Sequence, residues 1–75
     1  MKLSEIKVDE KAKIISVFGD EAFRKKLYNL GIKVNSLVKV LRVAPLLDPL
    51  EIDVNGITVA IRKESAENIE VEIIE

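Results

Sequence analysis

The sequence contains two pairs of adjacent carboxylates, Asp9-Glu10 and Asp20-Glu21, a residue type that can take part in chemistry. Paired carboxylates can act as general acid and base, and their oxygens bind hard cations. Neither pair has the alternating oxygen ligands of a calcium loop, and in a chain that is 33% charged such pairs are typical of solvated surface. We therefore expect no active site and no metal site at either pair.

The sequence contains no histidine and no cysteine. This composition excludes histidine-dependent triads, thiol nucleophiles, disulfides, zinc knuckles and iron–sulfur sites. A ferrous ion would find only hard oxygen ligands, and neither a P-loop nor a dinucleotide fingerprint is present. We predict that the protein is not an enzyme, carries no cofactor and has no transition-metal site.

Charge and hydropathy narrow the class of partner. Lys and Arg total 12 while Asp and Glu total 13, so the chain lacks the basic excess that is typical of nucleic-acid binders. No apolar run approaches the roughly 20 residues that cross a bilayer, and no signal-peptide pattern is present. We expect one soluble, intracellular domain over residues 1–75 that neither binds nucleic acid nor inserts into a membrane.

The only basic run consists of Arg24, Lys25 and Lys26. Such a run is either a solvated helix face or a docking patch that speeds association with an acidic partner. Both interpretations remain open from the sequence, and the run is a candidate partner-binding element.

The segment Pro45-Leu46-Leu47-Asp48-Pro49 places two leucines between two prolines. The leucines either fold back to cap the core or form an exposed apolar tip, and the sequence does not distinguish these arrangements. Because proline limits the conformations of a loop, such a tip would lose little entropy on binding. We predict that these five residues bind a partner, with the basic run guiding its approach.

Hydrophobic periodicity predicts the elements that position both stretches. Lys11–Phe18 and Leu37–Ala44 are β-rich, and the imperfect alternation of the second predicts either burial on both faces or a bulge. Asp20 is a good N-cap for a helix over about Glu21–Leu30, after which Gly31 can end the helix. One face of that helix carries the apolar residues Phe23, Leu27 and Leu30.

A hairpin is the clearest local signal. Asn55-Gly56 is the preferred pair for a type I′ turn and is flanked by the alternating segments Leu50–Val54 and Ile57–Ile61. The two-residue loop fixes the register and puts one set of apolar residues on one face, of which we predict four in the core: Ile52, Val54, Val59 and Ile61. Lys63–Asn68 can form one helical turn, and Ile69–Ile73 alternates as a last strand. This order predicts a mainly β fold, a small barrel with one inserted α-helix at about residues 20–30.

The order and spacing of four segments resemble the ferrous iron transport protein A (FeoA) family. The segments are LSEIKVDEKAKI at 3–14, RKKLYNLGIKVNSLVKV at 24–40, APLLDPLEI at 44–52 and NGITVAIRKESAENIEV at 55–71. The resemblance implies an SH3-like β-barrel with one inserted helix, and a role beside the membrane GTPase transporter FeoB in bacterial ferrous iron uptake. It also implies a cytoplasmic location, at the inner face of the cell membrane where the transporter holds the protein. The family has no established catalytic residues, so none is transferred.

Three positions depart from family glycines. Asp9 and Asn35 are of the residue types that best tolerate the left-handed region, so we expect both backbone turns to survive. Leu47 occupies the position of the loop glycine, where a positive φ would cost about 1–2 kcal/mol. Either the loop differs in this chain or another interaction compensates.

The residues and the resemblance together favour a small accessory protein that contacts the cytoplasmic part of FeoB. One alternative is a self-associating structural module, a homo-oligomer in which Leu46 and Leu47 pack against another copy. A second is a stand-alone relative of the C-terminal SH3-like domain of iron-dependent repressors, without their DNA-binding and metal-binding parts. The sequence is poorly suited to a direct iron carrier, because the chain has no histidine or cysteine to bind the metal.

Overall fold

The computed structural model describes residues 1–74. Within them lie the strands β1 (Lys11–Val17), β2 (Leu37–Val43), β3 (Leu50–Val54), β4 (Ile57–Ile61) and β5 (Ile69–Ile74). The helices are α1 (Glu21–Asn29) and the single turn α2 (Lys63–Ala66), with 3₁₀ turns at Leu3–Glu5 and Pro45–Leu47. The mainly β fold with one inserted helix is confirmed, and α2 is the predicted helical turn. No helix in this part of the chain has the length and apolar character needed to span a membrane.

The strands form one antiparallel sheet in the order β4-β3-β2-β1-β5. The β3–β4 hairpin has the predicted register, with Val54 opposite Ile57 beside the turn and no shift along either strand. Asn55 and Gly56 have φ values of 54° and 85°, the positive angles that a type I′ turn requires at both central residues. The turn and its register are therefore confirmed.

Bulges interrupt the alternation of two strands. The pairing of β2 with β3 shifts between Val40 and Arg42, and the intervening Leu41 is 37% exposed. The pairing of β1 with β5 shifts likewise between Ile14 and Ser16. Of the two explanations for the irregular pattern of β2, the bulge is the one that the structure contains.

Helix α1 begins where the sequence predicts. The Oδ1 atom of Asp20 accepts a hydrogen bond of 2.8 Å from the Phe23 N–H, and Gly31 follows the helix with a φ of 90°. Leu27 is buried and Phe23 is half-buried, which confirms most of the predicted apolar face. Leu30 was expected on that face but is 42% exposed, because it is the C-cap residue at the rim of the helix–sheet contact.

The core is aliphatic and lies between the inner face of the sheet, both helices and the N-terminal 3₁₀ turn. Of the hairpin residues predicted in the core, Val59 is only half-buried, because β4 is an edge strand. Ile57 shares their face but is 63% exposed, since it adjoins the turn at the end of the sheet. The buried core residues are Leu3, Ile6, Ala12, Ile14, Leu27, Ile32, Val38, Val40, Leu50, Ile52, Val54, Ile61, Ala66, Ile69 and Val71.

The two polar substitutes for glycine adopt the left-handed conformation. Asp9 has a φ of 73° and Asn35 a φ of 74°. Their amides donate to the Val40 and Ile14 carbonyls at 2.7 Å and 2.8 Å respectively. Both turns therefore survive the loss of glycine, as predicted.

Candidate interaction surface

The loop between β2 and β3 is fixed at its base by backbone hydrogen bonds. The Ala44 N–H donates to the Pro49 carbonyl at 3.1 Å, and the Leu47 N–H donates to the Ala44 carbonyl at 2.9 Å. Pro45 is exposed, whereas Pro49 is half-buried beside the start of β3. These two bonds therefore fix the backbone at the base of the loop.

Leu46 and Leu47 form the tip of this loop, and we call the pair the leucine tip. Both lie in the left-handed region, with φ values of 68° and 66°. A leucine in that region is strained by about 1–2 kcal/mol. Leu47 thus keeps a positive φ at the position of the family's loop glycine, and nothing in the sequence indicated the same conformation at Leu46. Leu46 is 96% exposed and Leu47 is 61% exposed, so the leucines do not cap the core.

Asp48 fastens the loop to α2. Its Oδ1 atom accepts a hydrogen bond of 3.1 Å from the Lys63 N–H and lies 3.9 Å from Nη1 of Arg62. Arg62 is the N-cap residue of α2, but its own side chain makes no capping bond. Asp48 therefore caps α2 from a distant part of the chain, a positioning role that the sequence does not reveal.

An apolar groove adjoins the leucine tip. Leu47 forms part of its wall, and the groove encloses about 290 Å³. The charged residues in its lining, Lys7 and Lys63, are both cationic. Such a groove suits an apolar side chain that is followed by an acidic one. The apolar lining is completed by Ile6, Val8, Val43 and Leu50.

The basic run lies on α1, away from the loop. Arg24, Lys25 and Lys26 are exposed, and within residues 1–74 none of them forms an ion pair. No hydrogen bond or ion pair in this part of the chain joins the run to the leucine tip. Arg62 lies between the two, since it lines a groove together with Lys26 and its Nη1 atom is 3.9 Å from Oδ1 of Asp48. The candidate residues thus form two groups that no direct bond joins.

An ion pair crosses the sheet at the base of the loop. Nη2 of Arg42 contacts both carboxylate oxygens of Glu51, at 3.0 Å and 2.6 Å. The hydrogen bond from Arg42, together with the negative charge of Glu51, raises the pKa of Arg42 above its usual value. Because the pair is exposed, it contributes little to the free energy of unfolding. We ascribe to it a role in setting the register between β2 and β3.

Metal ligands are not brought together in the described part of the chain. Among residues 1–74 no three or more Asp and Glu side chains are close enough to hold a metal ion. The pair at 9–10 instead lies in the turn before β1, and the pair at 20–21 lies at the start of α1, where Asp20 is the N-cap.

Comparison with known proteins identifies a family match. A model of the FeoA domain matches residues 1–73. The Fe(2+) transport protein A/Fe(2+) transporter FeoB fusion protein of Porphyromonas gingivalis (strain ATCC BAA-308 / W83) is 36% identical over 74 residues. These cover 99% of this chain but only 9% of that relative, so the chain spans a small part of the fusion protein's length.

Solved structures share the fold. The FeoA protein of Chlorobium tepidum superposes with a TM-score of 0.94 and 43% identity, over 100% of this chain and 71% of that one. Stenotrophomonas maltophilia FeoA was solved with zinc and is described as a procaryotic SH3 domain protein. It superposes with a TM-score of 0.82 and 26% identity, over 96% of this chain and 89% of that one. A manganese-dependent transcriptional repressor superposes with a TM-score of 0.90 and 17% identity, over 99% of this chain and 36% of that one. At this low identity the likeness shows a shared fold and nothing more. The fold is SH3-like.

Proposed function

The chain belongs to the FeoA family, and we propose that it is an accessory binding protein of ferrous iron uptake that contacts the cytoplasmic part of a FeoB-type transporter. The observation that carries this proposal is the Porphyromonas gingivalis fusion, in which a segment matching this chain and a FeoB transporter form one polypeptide. Fusion keeps two modules at a high effective concentration, which benefits modules that act on each other. A cytoplasmic location, at the membrane face where the transporter holds it, follows from this partner.

The leucine tip is the anchor of this contact. Leu46 and Leu47 are strained and largely exposed, so their conformation brings no burial in the isolated chain. Backbone strain that no other interaction in the fold offsets is typical of functional sites. A stiff apolar tip can enter a partner's pocket, and the basic run on α1 attracts an acidic partner surface from a distance. The protein acts by binding and not by catalysis.

Association and dissociation kinetics test the proposal. The full chain is passed over the immobilised cytoplasmic domain of the FeoB-type transporter from the same organism. We expect Leu47→Asp to speed dissociation about tenfold or more with little salt dependence, because it removes an anchor. Reversing the charges of Arg24, Lys25 and Lys26 should slow association, most strongly at low ionic strength.

Val34→Asp is the matched control, because Val34 is 54% exposed and lies in a different turn. It should leave both rates unchanged. Circular dichroism and the thermal midpoint establish that each variant is folded. If folded Leu47→Asp binds as the wild type does, the tip is not the interface; if the wild type does not bind the transporter domain, the proposed function is wrong.

Self-association is a second candidate, favoured by one observation. The protruding Leu46 is next in sequence to Leu47, which lines the apolar groove, so one surface carries both a knob and a hole and could complement itself in a two-fold symmetric dimer. Sedimentation equilibrium distinguishes the two candidates. A dimer that Leu46→Asp disrupts would assign the tip to a second copy of this chain, and a concentration-independent monomer would exclude this candidate.

A further inference from the structure

The two edges of the sheet differ in how far other backbone covers them. Along β5, the Val71 N–H donates to the Met1 carbonyl at 2.7 Å, and Lys2 forms a bridge with Glu70. The N-terminal segment thus covers part of that edge, and β5 also carries the charged Glu70 and Glu72. Along β4, no strand or bridge lies outside the hairpin within residues 1–74. The β4 edge is therefore the open one.

The register identifies the unpaired backbone groups of β4. Val54 and Ile57 flank the two-residue turn and exchange hydrogen bonds, so the residues that face away from β3 are Thr58 and Ala60. Both residues are exposed, and no backbone hydrogen bond outside the β3–β4 ladder involves them in the described part of the chain. Their N–H and C=O groups point outward as a template for another strand.

Nothing in β4 protects this edge. Native edge strands are usually blunted by a lysine, a proline or a bulge. Ile57–Ile61 reads ITVAI, with no charged residue and no proline, and its pairing with β3 continues without a shift. An unguarded edge in a protein that guards the other one suggests that the open edge is used.

A groove runs beside this edge, between α1 and β4. It encloses about 150 Å³, and its apolar lining includes Phe23, Leu27 and Val59. The charged residues that line it, Lys26 and Arg62, are both cationic. An added strand would place every second side chain on the groove face, where an apolar one fits the cavity and a carboxylate two positions away meets these cations.

We propose that the β4 edge binds an extended peptide segment with an apolar and an acidic residue two positions apart, which adds to the sheet as a further strand. Main-chain bonds to Thr58 and Ala60 supply affinity, and the groove with Lys26 and Arg62 supplies specificity. Charge complementarity favours such a peptide over a second copy of this chain, because the β4 strand of a second copy has no carboxylate to offer Lys26 and Arg62. This site goes beyond the proposed function, because it uses neither Leu46 nor Leu47.

The test uses the full chain and a capped, fluorescein-labelled heptapeptide in which valine and glutamate take turns at every second position and threonine fills the positions between them, so that one face carries both. We expect saturable binding by fluorescence anisotropy, with solvent-exchange protection of the Thr58 and Ala60 amides in NMR spectra. Ala60→Pro should weaken binding about tenfold or more, since it removes an outward donor while sparing the ladder to β3. The matched Ala60→Val, which retains the N–H, should bind within about twofold of the wild type.

Changes in the peptide test the same bonds without altering the protein. N-methylation at alternate residues should abolish binding, and replacement of glutamate by glutamine should weaken it and remove its salt dependence. Normal binding of the N-methylated peptide, or protection at β5 or the leucine tip instead of β4, would overturn the proposal. Concentration-dependent protection of Thr58 and Ala60 without peptide would also overturn it, by assigning the edge to a second copy.

Discussion

The side chain of Asp48 accepts a hydrogen bond of 3.1 Å from the backbone N–H of Lys63, a residue that lies 15 positions further along the chain. Lys63 is the first residue of α2, and its N–H is one of the donors that a helix start leaves unpaired. One contact therefore caps the short helix and fixes the loop that carries the leucine tip. The position of the tip depends on a side chain that sequence reasoning assigns only to partner binding.

We predict that Asp48→Ala lowers the free energy of unfolding by about 1 kcal/mol, because the first turn of α2 loses its cap. Urea denaturation with an unchanged slope measures this loss. Asp48→Asn is the matched control, since its amide oxygen can still accept from the Lys63 N–H. An equal loss in both variants would mean that the negative charge near Arg62, and not the cap, stabilises the loop.

The turn of the β3–β4 hairpin supplies the second prediction. Gly56 has a φ of 85°, and a Cβ atom built there would meet no atom within 4 Å. Any cost of substitution is therefore backbone strain and not a clash. Gly56→Val should lower the free energy of unfolding by about 1–2 kcal/mol, because a β-branched residue resists positive φ.

Gly56→Asn separates that strain from a general effect of adding a side chain. Asparagine tolerates the left-handed region, so its urea midpoint should lie between those of the wild type and Gly56→Val. If Gly56→Val has the wild-type midpoint, the turn does not have the conformation described above.

The same hairpin shows how much the sequence predicts. Asn55-Gly56 and the alternation around it act within a few residues, so the turn type and register follow from local chemistry. Register sets the face of a residue but not its depth, which is why the exposure of Ile57 at the end of the sheet does not follow. The N-cap at Asp20 and the left-handed Asp9 are local in the same sense and are also predicted correctly.

The candidate site is less predictable because its interactions are not local. The contact between Asp48 and Lys63 joins two elements across the hairpin and leaves no periodic pattern in the sequence. The strain at Leu46 has no residue-type signal either, since leucine rarely adopts a positive φ. Separation of the basic run from the tip depends on how α1 packs on the sheet, which composition does not specify.

We predict that the protein binds neither ferrous iron nor zinc at a specific site. The chain has no histidine or cysteine, and residues 1–74 hold no cluster of carboxylates that could replace them. Anaerobic calorimetry should show only weak, non-stoichiometric heats. The FeoA protein of Stenotrophomonas maltophilia, which was solved with zinc, is a suitable comparison under the same conditions. A stoichiometric site of submicromolar affinity in this chain would contradict the prediction.

Substitutions at Leu46 can separate the effect of backbone strain from that of partner binding. Leu46 is 96% exposed and has a φ of 68°. Leu46→Gly relieves about 1–2 kcal/mol of strain and adds about 0.5–1 kcal/mol of backbone entropy to the unfolded chain. We therefore expect the free energy of unfolding to rise by roughly 0.5–1 kcal/mol while affinity for the transporter domain falls. Leu46→Ala keeps the strained Cβ, so it should weaken binding equally without raising stability. Stabilisation by both variants would mean that exposed leucine itself, and not its backbone conformation, is the source of the cost; unchanged binding in both would remove Leu46 from the interface.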